Sequence, residues 1–231
     1  LQNITIDDSQ IEQLQYNLIV SHACGLGEQV PVPIVKLMLM LKIKSLSYGH
    51  SGVQIETVKR LLEMYNNRVL PVIFTQGSLG ASGDLSPLSH LSLPLLGLGE
   101  VTIDGIKHQT ASIMVRYNWS PIKLQSKEGL ALINGTQFMS AYGMYCLQKA
   151  EHLIEMAHLV AALSFDAFNC TTEPLSPQIH AIRAHEGQVL TAKKLREYLA
   201  GSSIAASAGK QIQDPYSFRC IPQVHGATIG V

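Results

Sequence analysis

Residues 75–90 read TQGSLGASGDLSPLSH, and Ala81, Ser82 and Gly83 within them are three residue types with complementary chemistry. A main-chain amide nitrogen can attack the carbonyl carbon two residues earlier if the chain bends tightly and the attacking residue carries no side chain. Gly83 N would attack the Ala81 carbonyl, and the small Ala81 relieves crowding. Loss of one water closes a five-membered ring. Loss of a second, from the Ser82 hydroxyl, leaves an exocyclic methylene, an electrophile that no ordinary side chain provides. Asp84 would help hold the bend. The competing reading is a plain turn in which Ser82 or Asp84 caps a helix starting near Leu85, with Pro87 in its first turn. Gly77, Gly80 and Gly83, three apart, also resemble a phosphate cradle, but the Lys-Ser/Thr ending of a P-loop is missing. Ser82 lies in Ala-Ser-Gly rather than in the G-x-S-x-G of a hydrolase elbow.

Other residues have polar chemistry at suggestive places. His22 falls on the apolar stripe of a first helix, where a histidine is usually a satisfied core residue. Asn134, in Ile-Asn-Gly, is a good helix stop, and its amide can donate and accept without adding charge. In QDPYSFR (213–219), Tyr216 and Arg219 share one face of a turn begun by Pro215. Arginine's planar fork suits a carboxylate; the bland alternative is an exposed arginine at a capped helix start. His180 and His185 of HAIRAHE are five apart, too far round a helix to ligate together, and read as a solvated surface. Cys24, Cys146, Cys170 and Cys220 show no paired or metal-finger spacing and read as reduced structural thiols.

The elements that must position these groups are helical almost throughout. Asp7, Asp8 and Ser9 are N-cap candidates before the stripe Ile11, Leu14, Leu18, His22; Pro31 and Pro33 open a second helix that stops near Gly49. Ile55 to Tyr65 makes a third, ending at Asn66-Asn67, and residues 86–97 a short one interrupted by Pro94. VTIDGIKH (101–108) carries the hairpin signal Asp-Gly between β-favouring residues. Ser126–Ile133 reads as a short helix and Thr136–Phe165 as a long one, apolar nearly all round, as at the centre of a bundle. A further helical stretch runs from Ser176-Pro177 to Leu199 with a break near Gly187. The expected fold is mainly α: a helical bundle with a long central apolar helix and a small β-hairpin, in one unit spanning residues 1–231.

Lys+Arg and Asp+Glu balance at 17 each among 231 residues, so the net charge points to neither nucleic acid nor a membrane surface. Charged residues are only 15% while apolar ones reach 46%, too little charge to coat a whole surface, so much of it is expected to meet other protein. The N-terminus has no signal-peptide pattern, and the apolar windows are too short or carry lysine; a cytoplasmic protein is expected.

GSLGASGDLSPLSH closely resembles the signature of the histidine and aromatic amino acid ammonia-lyases. NLIVSHACGLGE (17–28), EGLALINGTQ (128–137) and QDPYSFRCIPQVHGA (213–227) resemble further blocks of that family, in family order. The resemblance implies that Ala81-Ser82-Gly83 becomes a methylidene-imidazolone (MIO) prosthetic group, with no metal or nucleotide, inside the larger ammonia-lyase/fumarase-like helical architecture. It implies roles as well: His22 lines the substrate pocket, Asn134 binds substrate carboxylate or prosthetic group, Arg219 clamps the carboxylate, and Gln213 and the catalytic Tyr216 lie beside the electrophile. Histidine at position 22 resembles the histidine- and tyrosine-specific members; the implied reaction is non-oxidative removal of ammonia from an L-amino acid, histidine giving urocanate. The family's upstream tyrosine loop and downstream glutamate have no counterpart here, so the chain reads as the central block of a longer enzyme, inactive alone and homotetrameric when whole. Tyrosine or phenylalanine ammonia-lyases and aminomutases are the near alternatives; a helical scaffold with an uncyclised loop is the distant one.

Overall fold

The computed structural model describes residues 6–79 and 83–231. They form two compact units, Leu1–Cys146 and Leu147–Val231.

The first unit is built from helices whose apolar stripes close on one core. α1 (Ile11–His22) follows a 3-10 turn at Asp8–Gln10, whose first amides are satisfied by Asp7. α2 (Val32–Ser47) starts at the expected prolines, where a missing N–H costs nothing, and α3 is Ile55–Asn66. α4 (Leu85–Ser92) gives way to a 3-10 turn at Leu93–Leu96 holding Pro94, as the sequence indicated. α5 (Thr110–Tyr117) ends on left-handed Asn118, and α6 is the short helix Glu128–Ile133. Ile19 of α1, Met38 and Leu39 of α2, Leu61 of α3, Leu88 of α4 and Leu132 of α6 are all sealed from solvent. Each such side chain contributes about 1.5–3 kcal/mol by leaving water.

Strands β1 (Leu26–Gln29) and β3 (Phe74–Gln76) pair antiparallel, and β2 (Leu70–Pro71) joins β4 (Glu100–Ile103) and β5 (Ile106–Gln109) in the order β2-β4-β5. The β4–β5 turn has Ile103 opposite Ile106, with Asp104 and Gly105 at φ 49° and 83°, the left-handed pair a two-residue hairpin needs. Beyond this expected hairpin, β1, β2 and β3 are new. Two to four residues without alternating polarity give no strand signal, and their pairing is set by the chain around them.

α7 (Gln137–Ala167) is the long helix; its first turns, with Phe138 and Ala141, join the first core. In the second unit its later residues Ala162 and Phe165 pack with Cys170, Leu175, Leu195, Leu199 and Ile221. α8 (Pro177–Ala181), α9 (Glu186–Leu199), α10 (Tyr216–Arg219) and α11 (Ile221–Ile229) complete that unit. The expected break at Gly187 lies instead at 182–185, and Gly187 is inside α9. A Cβ there would collide with the Gly226 carbonyl, so the two glycines let the α9 and α11 main chains touch. His180 is likewise not a solvated residue: it is buried, with Nε2 hydrogen-bonded to Pro174 O at 2.9 Å and Gln188 Nε2 donating to its Nδ1 at 2.9 Å. Only His185 of that pair is exposed, because α8 ends between them. The four cysteines are free thiols, and burial beside Asp214 pushes the Cys170 thiol up to about 11. Among the described residues no helix is long and apolar enough to cross a membrane.

Candidate active site

Ala81 and Ser82 lie outside the described residues; the residues on either side of them are tightly held. Leu79 N donates to Gly83 O at 3.2 Å, drawing the two flanks of the segment together. Gly83 has φ 65°, a left-handed conformation that favours glycine. A Cβ on Gly83 would meet only Gly135 O, at an ordinary 3.6 Å, so glycine is required by backbone conformation rather than by space. Gly83 also makes a parallel backbone bridge to Gly135, next to Asn134.

Asp84 was expected to cap α4 or hold the bend, and it does more. It is the residue before α4, yet its side chain makes no capping bond there. Its carboxylate, 1% exposed, accepts from Ser78 Oγ at 3.0 Å and from the amides of Phe138 and Met139 at 2.9 and 3.1 Å. Asp84 thus caps α7, whose first-turn amides need an acceptor and whose dipole favours a negative charge. One carboxylate ties the residue after Gly83, the serine five residues before it and the start of the long helix together.

Asn134 ends α6, as Asn-Gly suggested, with its amide bonded to Leu130 O at 2.9 Å and its side chain exposed. α6 is only six residues long, too short to persist without help. Glu128, fully buried at its N-terminus, accepts from Gln54 N, Gln54 Nε2, Thr57 Oγ1 and Gln125 N at 2.6–2.9 Å. Gln15 Oε1 takes the Gly129 amide at 2.9 Å. At the other end Lys42 Nζ donates to Ala131 O and Asn134 O at 3.0 and 3.2 Å.

His22 closes α1 and is half-buried, with Nδ1 2.8 Å from Leu18 O. A carbonyl can only accept, so Nδ1 is the donor in this contact and Nε2 is the ring nitrogen left to meet a ligand. The turn after it is pinned by His90, whose Nε2 accepts from Gly25 N at 3.0 Å; burial lowers the His90 pKa, which keeps that acceptor unprotonated.

Gln213, Tyr216 and Arg219 belong to the second unit. Arg219 Cζ lies 4.5 Å from the Tyr216 ring centroid, so the two do share a face. Tyr216 is 74% exposed and Gln213 is exposed, whereas Arg219 is half-buried, its buried Nε without a hydrogen-bond partner among the described residues. Gln213 and Arg219 line an open cleft of about 360 Å³. Asp214 braces the turn by accepting from Thr171 N at 2.8 Å. Among the described residues no cluster of His, Cys, Asp or Glu could hold a metal ion.

The profile of the aromatic amino acid lyases matches residues 1–230. The chain belongs to the aromatic amino acid lyase family. It is 48% identical over 230 residues to a histidine ammonia-lyase of Deinococcus radiodurans, covering 98% of this chain and 44% of that relative. A histidine ammonia-lyase of Symbiobacterium thermophilum is 44% identical over 227 residues, covering 98% and 45%. Among solved structures, histidine ammonia-lyase from Trypanosoma cruzi superposes with a TM-score of 0.84 at 40% identity, covering 96% of this chain and 41% of that one. Ergothionase from Treponema denticola superposes at 0.90 with 28% identity, covering 99% and 46%. The chain thus spans about half the length of the relatives it matches.

Lys42, Gln15, Glu128 and Asp214 were not singled out from sequence. Lys42 had a signal: it is in register with Val35, Met38, Leu39 and Leu46, so it falls on the buried stripe of α2. Gln15 is similarly in register with Ile19 on α1.

Proposed function

We propose that the protein containing this chain deaminates L-histidine to urocanate and ammonia through a methylidene-imidazolone formed from Ala81, Ser82 and Gly83. The observation that carries the reading is the clamp on Gly83, by its main chain, and on Asp84, by its carboxylate, in a chain 48% identical to a histidine ammonia-lyase. The residues present fit such a group. Gly83 offers a bare nitrogen in a conformation suited to glycine, and Leu79 and Asp84 hold the segment's ends. Cyclisation joins Gly83 N to the Ala81 carbonyl carbon with loss of one water, and the Ser82 hydroxyl leaves as a second. Once formed, the group supplies an electrophilic methylene able to capture an amino acid substrate.

The remaining tasks fall to ordinary side chains. Arg219 receives the substrate carboxylate: the guanidinium is stacked on the face of Tyr216, and its Nε has no hydrogen-bond partner among the described residues. Tyr216 acts as a proton-handling group, with Gln213 three residues before it in the chain. His22 offers Nε2 to the substrate's imidazole, and the exposed Asn134 amide serves carboxylate or prosthetic group. Tyrosine ammonia-lyase and aminomutase chemistry is the second reading, since a tyrosine aminomutase from Streptomyces globisporus superposes with a TM-score of 0.87 at 33% identity. Ergothionase overlays more closely than the histidine enzyme of Trypanosoma cruzi, so the support for histidine comes from sequence identity, 40% against 28%. The exposed apolar residues of α7, including Leu147, Leu153, Val160 and Leu163, support burial of this helix against further protein; the proposed whole is a homotetrameric, cytoplasmic enzyme of which this chain is the central block.

The test is urocanate absorbance with histidine as substrate on the full-length protein, with S82A as control, alongside its intact mass. Expected is a mass short by two waters and activity abolished in S82A. An unmodified mass with full activity would overturn the reading.

A further inference from the structure

Lys42 stands out as a fully buried cation that none of the proposed chemistry uses. It is 1% exposed, among apolar neighbours on α2. An unpaired ammonium costs several kcal/mol to bury, so its surroundings must offset that cost. They do so with main-chain carbonyls: Ala131 O and Asn134 O, two of the four that the end of α6 leaves without helical partners. On the far side of the same turn, Asp84 takes the amides of Phe138 and Met139 that open α7. The turn 134–136 therefore hangs between a buried cation gripping the end of one helix and a buried anion gripping the start of the next. Gly135, at its middle, is the residue bridged to Gly83.

We propose that Lys42 is a positioning residue: by holding the α6–α7 turn it sets Gly135 against Gly83 and aims the Asn134 side chain, acting only through the main chain. The inference rests on the proposed cyclisation and goes beyond it by naming what holds the attacking glycine in register. Burial pushes the Lys42 ammonium down to about 8, while the negative charge of Asp84 pulls it back up, as expected if the two charges share one low-dielectric neighbourhood. A lysine placed only to fill space could be replaced by methionine of similar length without consequence. One that grips carbonyls could not.

The experiment uses the full-length protein as wild type, K42M and K42R, the arginine keeping both cation and donors. Intact mass is followed through maturation, histidine kinetics are measured per ring-bearing chain, and amide exchange is read by peptide. Expected for K42M is water loss at least tenfold slower, and a raised KM in the matured fraction because Asn134 is misaimed. Exchange across residues 132–139 should speed up at least tenfold while α9 is unchanged. K42R should recover most of each. A folded K42M that matures, binds and exchanges like wild type overturns the proposal, as does a folded K42R as defective as K42M. If K42M does not fold, the K42R arm decides. If the wild type never loses water, the ring reading fails, and the exchange comparison still decides whether Lys42 holds the turn.

Discussion

The two units keep their polar groups differently. The unit Leu1–Cys146 seals Lys42, Asp84 and Glu128 in its interior and satisfies them with main-chain groups and short side chains. The unit Leu147–Val231 leaves its acid–base pairs on the rim: Lys194 with Glu155, and Lys193 with Glu197. Its candidate substrate residues are open too, with Tyr216 at 74% exposure. Buried charge held by backbone is costly to reorganise and so fixes geometry. Exposed residues on a four-residue helix wait for a neighbour or a ligand to fix them. The first unit is thus built to hold a main-chain geometry, and the second leaves polar side chains open at its surface.

The sharpest way to break that contrast is to remove one buried charge from each unit. D84A strips the acceptor from Ser78 Oγ and two α7 amides and leaves Lys42 without its counter-charge. It should cost about 3–5 kcal/mol in urea unfolding. D214A, in the second unit, frees chiefly the Thr171 amide and should cost about 1–3 kcal/mol. Equal losses would mean that the charge network of the first unit is no more integral than a loop brace.

Cores of unequal breadth should respond unequally to the same cavity. Leu88 on α4 and Leu195 on α9 are both sealed from water. Leu88 is surrounded by the helices of a broad core, Leu195 by a cluster with few members. L88A should fall at the upper end of the usual 2–5 kcal/mol and L195A at the lower end, where neighbours can collapse into the gap. The reverse order would show the smaller core to be the more rigid.

Acid should separate the units as well. Burial lowers the pKa of His90 in the first unit and, aided by their mutual repulsion at His158, of His158 and His225 in the second. The rings of His158 and His225 lie 5.2 Å apart, and each has a buried Nδ1 with no hydrogen-bond partner among the described residues. Glu155 opposes the shift at His158 and Lys194 adds to it. A histidine whose folded pKa is lowered stays neutral in the native chain while the unfolded chain takes up the proton. Stability is therefore complete above about pH 6.5 and declines as pH falls from there through the lowered folded values. Amide exchange measured from neutral pH down to about 5 should loosen α9 and α11 before α1 and α4. Loosening of α1 and α4 first would place the acid-sensitive contact at His90 and Gly25 instead.

What could be read from the chain alone follows the range of the forces involved. α2, α3, the β4–β5 hairpin and the pairing of Tyr216 with Arg219 are set by neighbours three or four residues apart, and spacing revealed them. The aromatic lyase blocks revealed Gly83, Asp84 and Asn134 as residues of interest. Spacing could not show where the Asp84 carboxylate goes, since its partners lie 54 and 55 residues away. Nor could it show that Gly187 is a contact surface, which needs Gly226 beside it. Lys42 was legible in kind: a lysine on a buried stripe requires a partner. The partners, however, are carbonyls, and every residue has one.

The smallest effect is the control on the whole contrast. Lys193 and Glu197, one helical turn apart on α9, approach to 3.8 Å with side chains 64% and 55% exposed. Such a pair gains little in high dielectric and gives up side-chain freedom to form, so K193A should change stability by no more than about 0.5 kcal/mol. That small change should vanish as salt rises to about 1 M, where screening acts within about 3 Å. If K193A instead costs as much as D214A, the rim charges of the second unit are part of its framework, and the contrast between a unit that buries Lys42, Asp84 and Glu128 and one that buries Asp214 and keeps Lys193, Lys194, Glu155 and Glu197 at its rim does not hold.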